Sequence, residues 1–375
     1  MDLRRRGVAG LLAAALLAVA SPACGRRPAA AARGGRQAAA GVEIQRRLAL
    51  MGTWLEVHLE ADDRPRALAA SEAAVRALEA AEARLSTWHR GSELDRLNRT
   101  PAGVPCRLSP TLAAELAAAR RCWQDTGGAF DPAIGPLVSA WGLRHGGRKP
   151  SAAERRRAVA ASDMAALALG PDEWATRRRS DLVLEEGAWG KGAGLVAAVA
   201  AIAAAAGARS AAIDLGGQVA VWSRVAGGGT WAVPVADPAR RQRAVLTVAI
   251  HGGSLSTSGD SERGVEVGGE RFGHIIDPDR GVPAADFGSL TVWHADPLVA
   301  DCLSTGLYVM GPRRALAWAA LHPGVEVLVL EPAAGRLRAL ATPGLRGRLT
   351  PLVADLDLVE GGSRAGRQPP GETTP

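Results

Sequence analysis

Two oxygen-bearing side chains, Asp301 and Thr305, stand four residues apart in a segment whose apolar residues recur at helical spacing. Residues four apart on a helix share one face, so the carboxylate and the hydroxyl are expected to lie side by side. Both are hard oxygen ligands of the kind that Mg²⁺ and Ca²⁺ take. The pair predicts a divalent-cation site on a helix that Asp296-Pro297 opens. The alternative is local, with the threonine bonded to a helix carbonyl and the aspartate to nearby backbone.

A second candidate is the segment 185–192, Glu-Glu-Gly-Ala-Trp-Gly-Lys-Gly, which runs from a predicted strand into a predicted helix. Glycine-rich turns into helix N-termini bind anions through free backbone N–H groups. Lys191 adds a compact positive charge, and it is one of two lysines in a chain with 45 lysines and arginines. The segment predicts a phosphate site, although the GxxxxGK[ST] pattern of a Walker loop is absent. An ordinary strand–turn–helix junction is the alternative.

Three further segments carry polar groups that could face a ligand. Residues 128–132, Gly-Ala-Phe-Asp-Pro, predict a fixed loop that presents Asp131 or its backbone. Residues 256–260, Ser-Thr-Ser-Gly-Asp, predict a hydroxyl-rich turn, and His274 follows downstream; both could face a phosphate. His274 could equally be a satisfied structural residue. A serine hydrolase has no support, because no GxSxG elbow is present.

The helices and strands that must position these groups are predicted from the spacing of apolar residues and from glycines and prolines that mark the ends of elements. Ser109-Pro110 predicts an N-cap followed by proline at the first helical position, and Gly207 closes a helix that begins at Gly190. A glycine-rich loop region is expected from roughly Gly252 to Gly281. The predicted helices are 65–85, a turn at 93–97, 110–124, 190–206, 297–310 and 312–321; the predicted strands are 53–59, 182–184, 211–215, 219–222, 231–235, 244–250, 289–293 and 325–330.

This mixture of helices and hairpin-like strand runs predicts an α+β fold, a single compact two-lobed domain over residues 42–360 with mixed or antiparallel sheets flanked by helices. No internal repeat of fixed period is present. Residues 25–41 and 361–375 are rich in Gly, Pro, Ala and Arg without periodic apolar positions. They are therefore predicted to be a flexible linker and a disordered tail.

The formal charge of +7 is dispersed over short arginine runs, which is typical of a solvated surface. No zinc-finger, helix-turn-helix or RNP-like pattern accompanies it, so a nucleic-acid role has no support. Cys106 and Cys122 could pair, while Cys302 lies in an apolar helical pattern and is predicted to be a small buried residue. No Cys/His spacing of a zinc site is present.

The N-terminal 24 residues have the pattern of an export signal. Arg4 to Arg6 form a basic region, and Val8 to Ala20 form an apolar stretch shorter than the roughly 20 residues that a membrane span needs. Cys24 follows small residues where a bacterial lipoprotein carries its lipid. Lipid anchoring and plain secretion both remain open, and either one predicts an exported protein at the periplasmic or extracytoplasmic face of the membrane.

Taken in order, the motifs of this chain resemble the FAD:protein FMN transferase family, also called the ApbE family of flavin transferases. The resemblance covers about residues 49–311. It is carried by Met51-Gly52-Thr53, Leu85-Ser86-Thr87-Trp88, Ser92-Glu93-Leu94 with Leu97-Asn98, GGAFDPAIGPLVSAWG (127–142), GAWGKGAG (187–194), Ile213-Asp214-Leu215-Gly216-Gly217, STSGD (256–260), HIIDPDRG (274–281) and ADCLSTGLYVMG (300–311).

The resemblance implies an α+β fold, an FAD site and Mg²⁺ at the pyrophosphate. By position, Asp301, Thr305 and the carbonyl of Ala188 would hold the metal. Asp301, His274 and Lys191 would be the catalytic residues, with Asp301 or His274 as the base. The positions that would contact FAD are Met51, Trp88, Ala129, Phe130, Asp131, Glu185, Lys191 and His274.

The chain departs from the family pattern at several of these positions. Trp88 stands where Tyr is common, which preserves stacking. Glu185 stands where Asp is common, so its reach to a hydroxyl changes by one methylene. Trp189 and Gly190 replace a small aliphatic pair, and Gln218 stands where Asn is common. None of these changes removes the predicted metal pair.

The activity that the resemblance implies is Mg²⁺-dependent transfer of FMN from FAD to a Thr or Ser hydroxyl of an acceptor protein, with release of AMP. The expected acceptor is an Rnf- or Nqr-type or other extracytoplasmic redox protein. This chain lacks an Asp-x-[Ser/Thr]-Gly-Ala-Thr acceptor motif, so self-modification is not expected. The alternatives are a Mg²⁺-dependent FAD pyrophosphatase that yields FMN and AMP, and a non-catalytic exported FAD-binding protein.

Overall fold

A computed structural model describes residues 32–34 and 41–360, apart from residues 89, 227, 261–263 and 268. The helices are α1 (Arg64–Leu85), α2 (Glu93–Arg99), α3 (Pro110–Asp125), α4 (Gly135–Ala140), α5 (Ala152–Ala161), α6 (Gly190–Ala204), α7 (Pro297–Met310) and α8 (Pro312–Ala320). The strands are β1 (Ala32–Gly34), β2 (Val42–Leu50), β3 (Thr53–Ala61), β4 (Pro105–Arg107), β5 (Leu167–Leu169), β6 (Trp174–Arg177), β7 (Ala208–Leu215), β8 (Gln218–Ser223), β9 (Thr230–Asp237), β10 (Arg240–Ile250), β11 (Gly253–Gly259), β12 (Gly264–Val267), β13 (Glu270–Gly273), β14 (Ile276–Asp277), β15 (Val282–Pro283), β16 (Ser289–His294), β17 (Glu326–Ala333), β18 (Arg336–Ala341), β19 (Leu349–Pro351) and β20 (Leu356–Glu360).

A nine-stranded sheet runs through the molecule in the order β2-β3-β7-β8-β11-β16-β17-β18-β20. Every neighbouring pair is antiparallel except β18 and β20, which are parallel. Buried and partly exposed residues alternate along β3, so that one face of this strand packs against the core. Leu55, Val57 and Leu59 are buried while the residues between them are partly exposed. The sheet joins strands from both ends of the described chain.

Helices α1, α6 and α7 cover one face of this sheet. The buried side chains of α1 are mostly alanines, such as Ala67, Ala70 and Ala74, and they share a core with Leu195 and Ile202 of α6. Small residues let the helices pack closely against each other and against the strands beneath. This layer places the N-terminus of α6 against α7.

A second sheet, in the order β1-β9-β10-β19, covers the opposite face. Trp231, Val233 and Val235 of β9 alternate inward and pack against Leu255 of β11 and Leu328 of β17. Sheet packed on sheet, with helices behind, gives three layers around shared apolar cores. The predicted α+β class, with largely antiparallel sheets flanked by helices, is confirmed.

Most predicted elements are confirmed, and the N-terminus of α3 forms as expected, with Ser109 Oγ accepting from Leu112 N at 3.2 Å. The glycine-rich loop region predicted from Gly252 to Gly281 is wrong. It contains β11, β12, β13 and β14, because the backbone of β11 pairs with β8 and β16, that of β12 with β13, and that of β14 with β15. The strand predicted at 182–184 reduces to one bridge between Ile134 and Val183.

Several elements were not predicted: β2, α5, β18 and β20. Strand β2 is rich in charged residues, and α5 is capped by Ser151 and Glu154 but buries little more than Ala158 and Ala161. Residues 32–34, inside the predicted linker, pair with β9. The predicted signal segment 1–24, Cys24 and the tail 361–375 lie outside the described residues. None of the described helices is both long and apolar enough to cross a membrane.

Candidate active site

The candidate cation site forms where the first turn of α6 meets α7. Asp301 is 3% exposed, and its Oδ2 accepts a hydrogen bond from the backbone N–H of Gly192 at 2.8 Å. A Cβ on Gly192 would lie 2.5 Å from the Pro297 carbonyl oxygen and 2.8 Å from the Asp301 Cβ. Only glycine permits this approach, so residue 192 sets the distance between the two helices.

The carbonyl of Ala188 lies just before α6, whose N-cap is Trp189. The N–H of Gly192 belongs to the first turn of α6, where N–H groups have no acceptor within the helix, and it donates to Asp301. Among the described residues no N–H or hydroxyl is found to donate to the Ala188 oxygen. A partly buried carbonyl in this position is a ready ligand for a cation.

Thr305 follows Asp301 by one helical turn, as predicted, and is partly buried. No hydrogen bond from its hydroxyl to a helix carbonyl is found within the described part of the chain, so that half of the local alternative is not observed. The other half is observed, because Asp301 accepts from the backbone N–H of Gly192. Asp301, Thr305 and Ala188 together offer a carboxylate, a hydroxyl and a carbonyl, all oxygen donors that fit Mg²⁺. No group of three or more His, Cys, Asp or Glu side chains forms a metal site in the described residues.

A ladder of buried hydroxyl groups lies beneath Asp301. Ser256 Oγ is 3.3 Å from Asp301 Oδ1 and 3.1 Å from Ser304 Oγ, and Ser258 Oγ donates to Ser304 Oγ at 3.0 Å. These serines stand in β11 and α7, so the prediction that residues 256–260 form a turn facing a phosphate is wrong. Their hydrogen bonds orient the Asp301 carboxylate, which is a supporting role.

Gln218 and Asp296 hold the start of α7 in place. Gln218 is fully buried, and its Nε2 donates to the Pro297 carbonyl at 2.8 Å and to Ser254 Oγ at 3.3 Å. Asp296 caps the helix by accepting from Leu298 N at 2.8 Å. The position that follows the Gly216-Gly217 turn thus braces the helix that carries Asp301.

Lys191 stands in the first turn of α6, partly buried. Its ammonium has no ion pair or hydrogen bond among the residues that the structure describes. A cation without a carboxylate partner, at the positive end of a 15-residue helix, is suited to a phosphate group. The phosphate site at Lys191 stays a prediction.

A second cluster forms around Glu185. The Arg144 guanidinium donates to Glu185 Oε1 and to Thr87 Oγ1, and its Nη1 donates to the Thr87 carbonyl at 2.9 Å. Glu186 accepts from the backbone N–H of Thr87 at 3.1 Å. Burial, followed by the neighbouring Glu186, raises the pKa of Glu185, while Arg144 and Thr87 act to lower it. In this structure the Glu185 carboxylate is therefore paired with Arg144.

Trp88 lies beside this cluster and is 61% exposed, the most exposed tryptophan among the described residues. The Arg144 guanidinium carbon is 4.6 Å from the centre of its ring. An exposed indole beside the site is suited to stacking against a flat ring. This is the position that the family resemblance gives to Trp88.

Asp131 binds backbone. Its Oδ1 accepts from Ala133 N at 2.7 Å and its Oδ2 from Met164 N at 3.2 Å. Burial raises its pKa to about 6. The prediction of an ordered loop is confirmed, and the Asp131 carboxylate itself holds the loop in place through these two bonds. The loop can therefore present the backbone of residues 129–131 to a ligand.

The neighbours of Asp131 are equally constrained. Phe130 is 1% exposed, its Cβ and backbone N lie against Gly306 of α7, and its N–H donates to Thr126 Oγ1 at 3.2 Å. Ala129 precedes it in the same turn and is partly buried. A cavity of about 470 Å³ opens beside this loop, lined among others by Trp123, Gly127, Gly128, Asp131, Ser162 and Pro278.

Met51 and His274 lie on separate segments. Met51 has φ 50° at the tip of the β2–β3 hairpin, a left-handed conformation followed by Gly52 at φ 67°. Its Sδ lies against α6 at Gly194, which ties the hairpin to the helix of Lys191. His274 is partly buried at the bend between β13 and β14.

The three described cysteines, Cys106, Cys122 and Cys302, are buried free thiols. The possible Cys106–Cys122 bridge is therefore not formed in this structure. Cys302 is fully buried, as predicted.

Sequence reasoning missed Arg144 and assigned no supporting role to four residues of the quoted motifs that hold the site together: Thr87, Glu186, Gly192 and Ser304. Glycine at position 192, inside a predicted helix, was a usable signal, because helix interiors disfavour glycine unless packing demands it. Nothing local distinguishes Arg144 from the many other arginines of this chain.

Comparisons with known proteins identify the family and the fold. A sequence model described as the ApbE family matches residues 51–329. A Haemophilus influenzae protein named FAD:protein FMN transferase is 31% identical over 245 residues, covering 62% of this chain and 70% of that protein. One of the same name from Rhodobacter capsulatus is 34% identical, covering 73% of this chain and 51% of that protein. The crystal structure of a Thermotoga maritima ApbE protein superposes with a TM-score of 0.71 at 24% identity, covering 77% of this chain and 94% of that one.

Proposed function

The chain belongs to the ApbE family, and from this premise we propose that it transfers FMN from FAD to a Thr or Ser hydroxyl of an acceptor protein, with release of AMP. The observation that carries the proposal is the α6–α7 junction. There Gly192 N donates to Asp301, and among the described residues no hydrogen-bond partner is found for the Ala188 carbonyl or for the ammonium of Lys191, the residue before Gly192. This arrangement suits a cation and a diphosphate together.

Asp301, Thr305 and the Ala188 carbonyl would hold Mg²⁺, which when bound neutralises pyrophosphate charge and helps AMP to leave. Lys191 and the α6 N-terminus would stabilise negative charge that develops on the transferred phosphoryl group. The hydroxyl ladder of Ser256 and Ser304 keeps Asp301 oriented before substrate arrives. In the step itself, the acceptor oxygen forms a bond to the FMN-side phosphorus, and the bond to the AMP oxygen breaks.

The proton of the acceptor hydroxyl must pass to a base, and Asp301 and His274 are the two proposed groups. The FAD contacts are proposed at Met51, Trp88, the backbone of 129–131, Glu185, Lys191 and His274. The proposed acceptor is an Rnf- or Nqr-type or other extracytoplasmic redox protein, the class of acceptor that the family resemblance implies.

The test is intact-protein mass spectrometry of an Nqr- or Rnf-type acceptor domain after incubation with this protein, FAD and Mg²⁺. Asp301→Asn is the informative variant, since the amide oxygen can still accept from Gly192 N while the charge is lost. Thr305→Val and Thr305→Ser form a matched pair that removes or keeps the hydroxyl. We expect one FMN mass on the acceptor with wild type and Thr305→Ser, and loss of about 100-fold or more with Asp301→Asn.

The other outcomes separate the alternatives. Free FMN and AMP without a modified acceptor would identify a pyrophosphatase that uses water. FAD bound but uncut after hours with Mg²⁺ would identify a binding protein. A shift in the Mg²⁺ concentration for half-maximal rate in Thr305→Val, absent in Thr305→Ser, would support the metal assignment separately from the choice of acceptor.

We also propose export, with a lipid on Cys24. The support is the basic and apolar pattern of residues 4–20 followed by a cysteine after small residues. Membrane fractionation and labelling with a radioactive fatty acid test it, with Cys24→Ser as the control. Label that persists in Cys24→Ser would contradict lipidation, and unprocessed protein in the cytoplasm would contradict export.

A further inference from the structure

Arg144 is presented by a tightly bonded turn, residues 141–148. Arg148 N donates to the Trp141 carbonyl at 2.8 Å, closing the turn. The Trp141 indole is buried and its Nε1 donates to the Gly281 carbonyl at 2.9 Å, which anchors the turn to the segment after His274. The guanidinium therefore extends from a fixed base.

This guanidinium joins two separate loops of the candidate site. It donates to the carbonyl and the hydroxyl of Thr87 in the loop that follows α1, and to the Glu185 carboxylate in the loop that leads into α6. It also lies 4.6 Å from the centre of the Trp88 ring. One side chain thus fixes an acidic group and an aromatic face relative to each other.

The planar shape of the guanidinium is essential to these contacts. Its several N–H groups lie in one plane and reach the two Thr87 oxygens and the carboxylate together, while its central carbon lies over the Trp88 ring. A lysine ammonium supplies the charge without this fork. The Glu185 side chain is only 12% exposed and stands next to Glu186, so without Arg144 its charge would be uncompensated.

We propose that Arg144 is a positioning residue for the flavin nucleotide, which holds the Trp88 ring and the Glu185 carboxylate where a planar ring and a hydroxyl of FAD bind. The inference rests on the proposed function and deepens it by naming a determinant of substrate affinity. Arg144 contacts neither Asp301 nor Lys191, so its effect falls on FAD binding and leaves the phosphoryl step intact.

The test compares Arg144→Met and Arg144→Lys with Arg148→Met, a matched variant in the same turn whose guanidinium pairs at the surface with Glu154. We expect Arg144→Met to raise the KM for FAD by about tenfold or more, with kcat at saturating FAD within about threefold of wild type. Arg144→Lys should restore only part of the affinity. Arg148→Met should leave KM unchanged.

A double-mutant cycle separates positioning from a loss of folding. If Arg144 acts through the ring, Arg144→Met should change KM much less in a Trp88→Ala background. The pair Arg144→Met/Glu185→Gln removes the uncompensated charge; it should recover the melting temperature while KM stays high. Four results would each overturn the proposal. They are an unchanged KM in Arg144→Met, a wild-type KM in Arg144→Lys, an equal rise of KM in Arg148→Met, and additive effects of Arg144→Met and Trp88→Ala on KM.

Failure of the Arg144 proposal can be told apart from failure of the proposed FMN transfer. If wild type binds FAD but transfers no FMN, the proposed transfer fails, and the dissociation constant from flavin fluorescence replaces KM in every comparison above. If wild type does not bind FAD, both proposals fail together.

Discussion

At residue 131, a carboxylate joins two backbone segments and makes stability depend on pH. Burial raises the pKa of Asp131 to about 6 in the folded protein, whereas an aspartate in an unfolded chain titrates near about 3.9. Between those values the folded state holds a proton that the unfolded state has released. The contribution of Asp131 to stability therefore falls as pH rises through this window and is constant above it.

We predict that Asp131→Asn removes this part of the pH dependence. Relative to wild type, the variant should gain roughly 3 kcal/mol of unfolding free energy between pH 4 and pH 7.5. The measurement is urea denaturation at a series of pH values. Asp260, whose pKa burial also raises to about 6, is present in both proteins and cancels in the difference. A difference that is constant across pH would contradict the prediction.

At the scale of elements, the close crossing of α6 and α7 creates the site. The crossing exists because residue 192 has no side chain where the Pro297 carbonyl passes. It directs the backbone N–H of Gly192, in the first turn of α6, to the Asp301 carboxylate. The geometry of the candidate cation site is a property of two helices and of no single residue.

We predict that Gly192→Ala forces these helices apart. Overpacking of this kind costs about 1–3 kcal/mol of unfolding free energy, and FMN transfer should fall by about tenfold or more because the oxygen donors no longer converge. Gly187→Ala is the matched control, since a Cβ at Gly187 meets nothing within 4 Å. Thermal melts and the mass-spectrometric transfer assay measure the two effects. Equal behaviour of the two variants would contradict this account.

The start of α7 depends on its cap. Asp296 Oδ1 accepts from Leu298 N at 2.8 Å and lies 3.4 Å from Val299 N. Asp296→Ala should lower the unfolding free energy by about 1 kcal/mol, and Asp296→Asn, which keeps an acceptor oxygen, should recover most of it. Chemical denaturation of the two variants tests this prediction. No difference between them would show that the cap contributes little.

At the scale of the whole molecule, one continuous sheet joins distant parts of the chain. Strand β2 begins at residue 42 and β20 ends at residue 360, and both belong to the same nine-stranded sheet. The helices on one face and the four-stranded sheet on the other share its buried side chains.

We predict that the protein therefore unfolds cooperatively despite its length. Far-UV circular dichroism and tryptophan fluorescence should report the same melting temperature. Ile213→Ala, in the buried centre of β7, should lower both midpoints together, with a cost of about 2–5 kcal/mol. Two separated transitions, or a variant that shifts only one probe, would contradict this prediction.

The sequence by itself determined the elements whose signals are local. The Ser109-Pro110 start, the bounds of α7 and the one-turn spacing of Asp301 and Thr305 follow from capping chemistry and helical period, which depend on residues within a few positions. Ordered motifs also placed the chain in its family, because many weak matches in one order are specific together.

How these pieces meet depends on long-range contacts. Strand β11 is formed by pairing with β8 and β16, which lie well before and after it in the chain, and a glycine-rich run carries no local signal for such pairing. The hydrogen bond from Gly192 N to Asp301 joins positions 109 residues apart. The hydrogen bonds from Arg144 to Thr87 and to Glu185 join positions that are 57 and 41 residues apart in the chain. Contacts of that kind arise from packing in three dimensions, which no local pattern encodes.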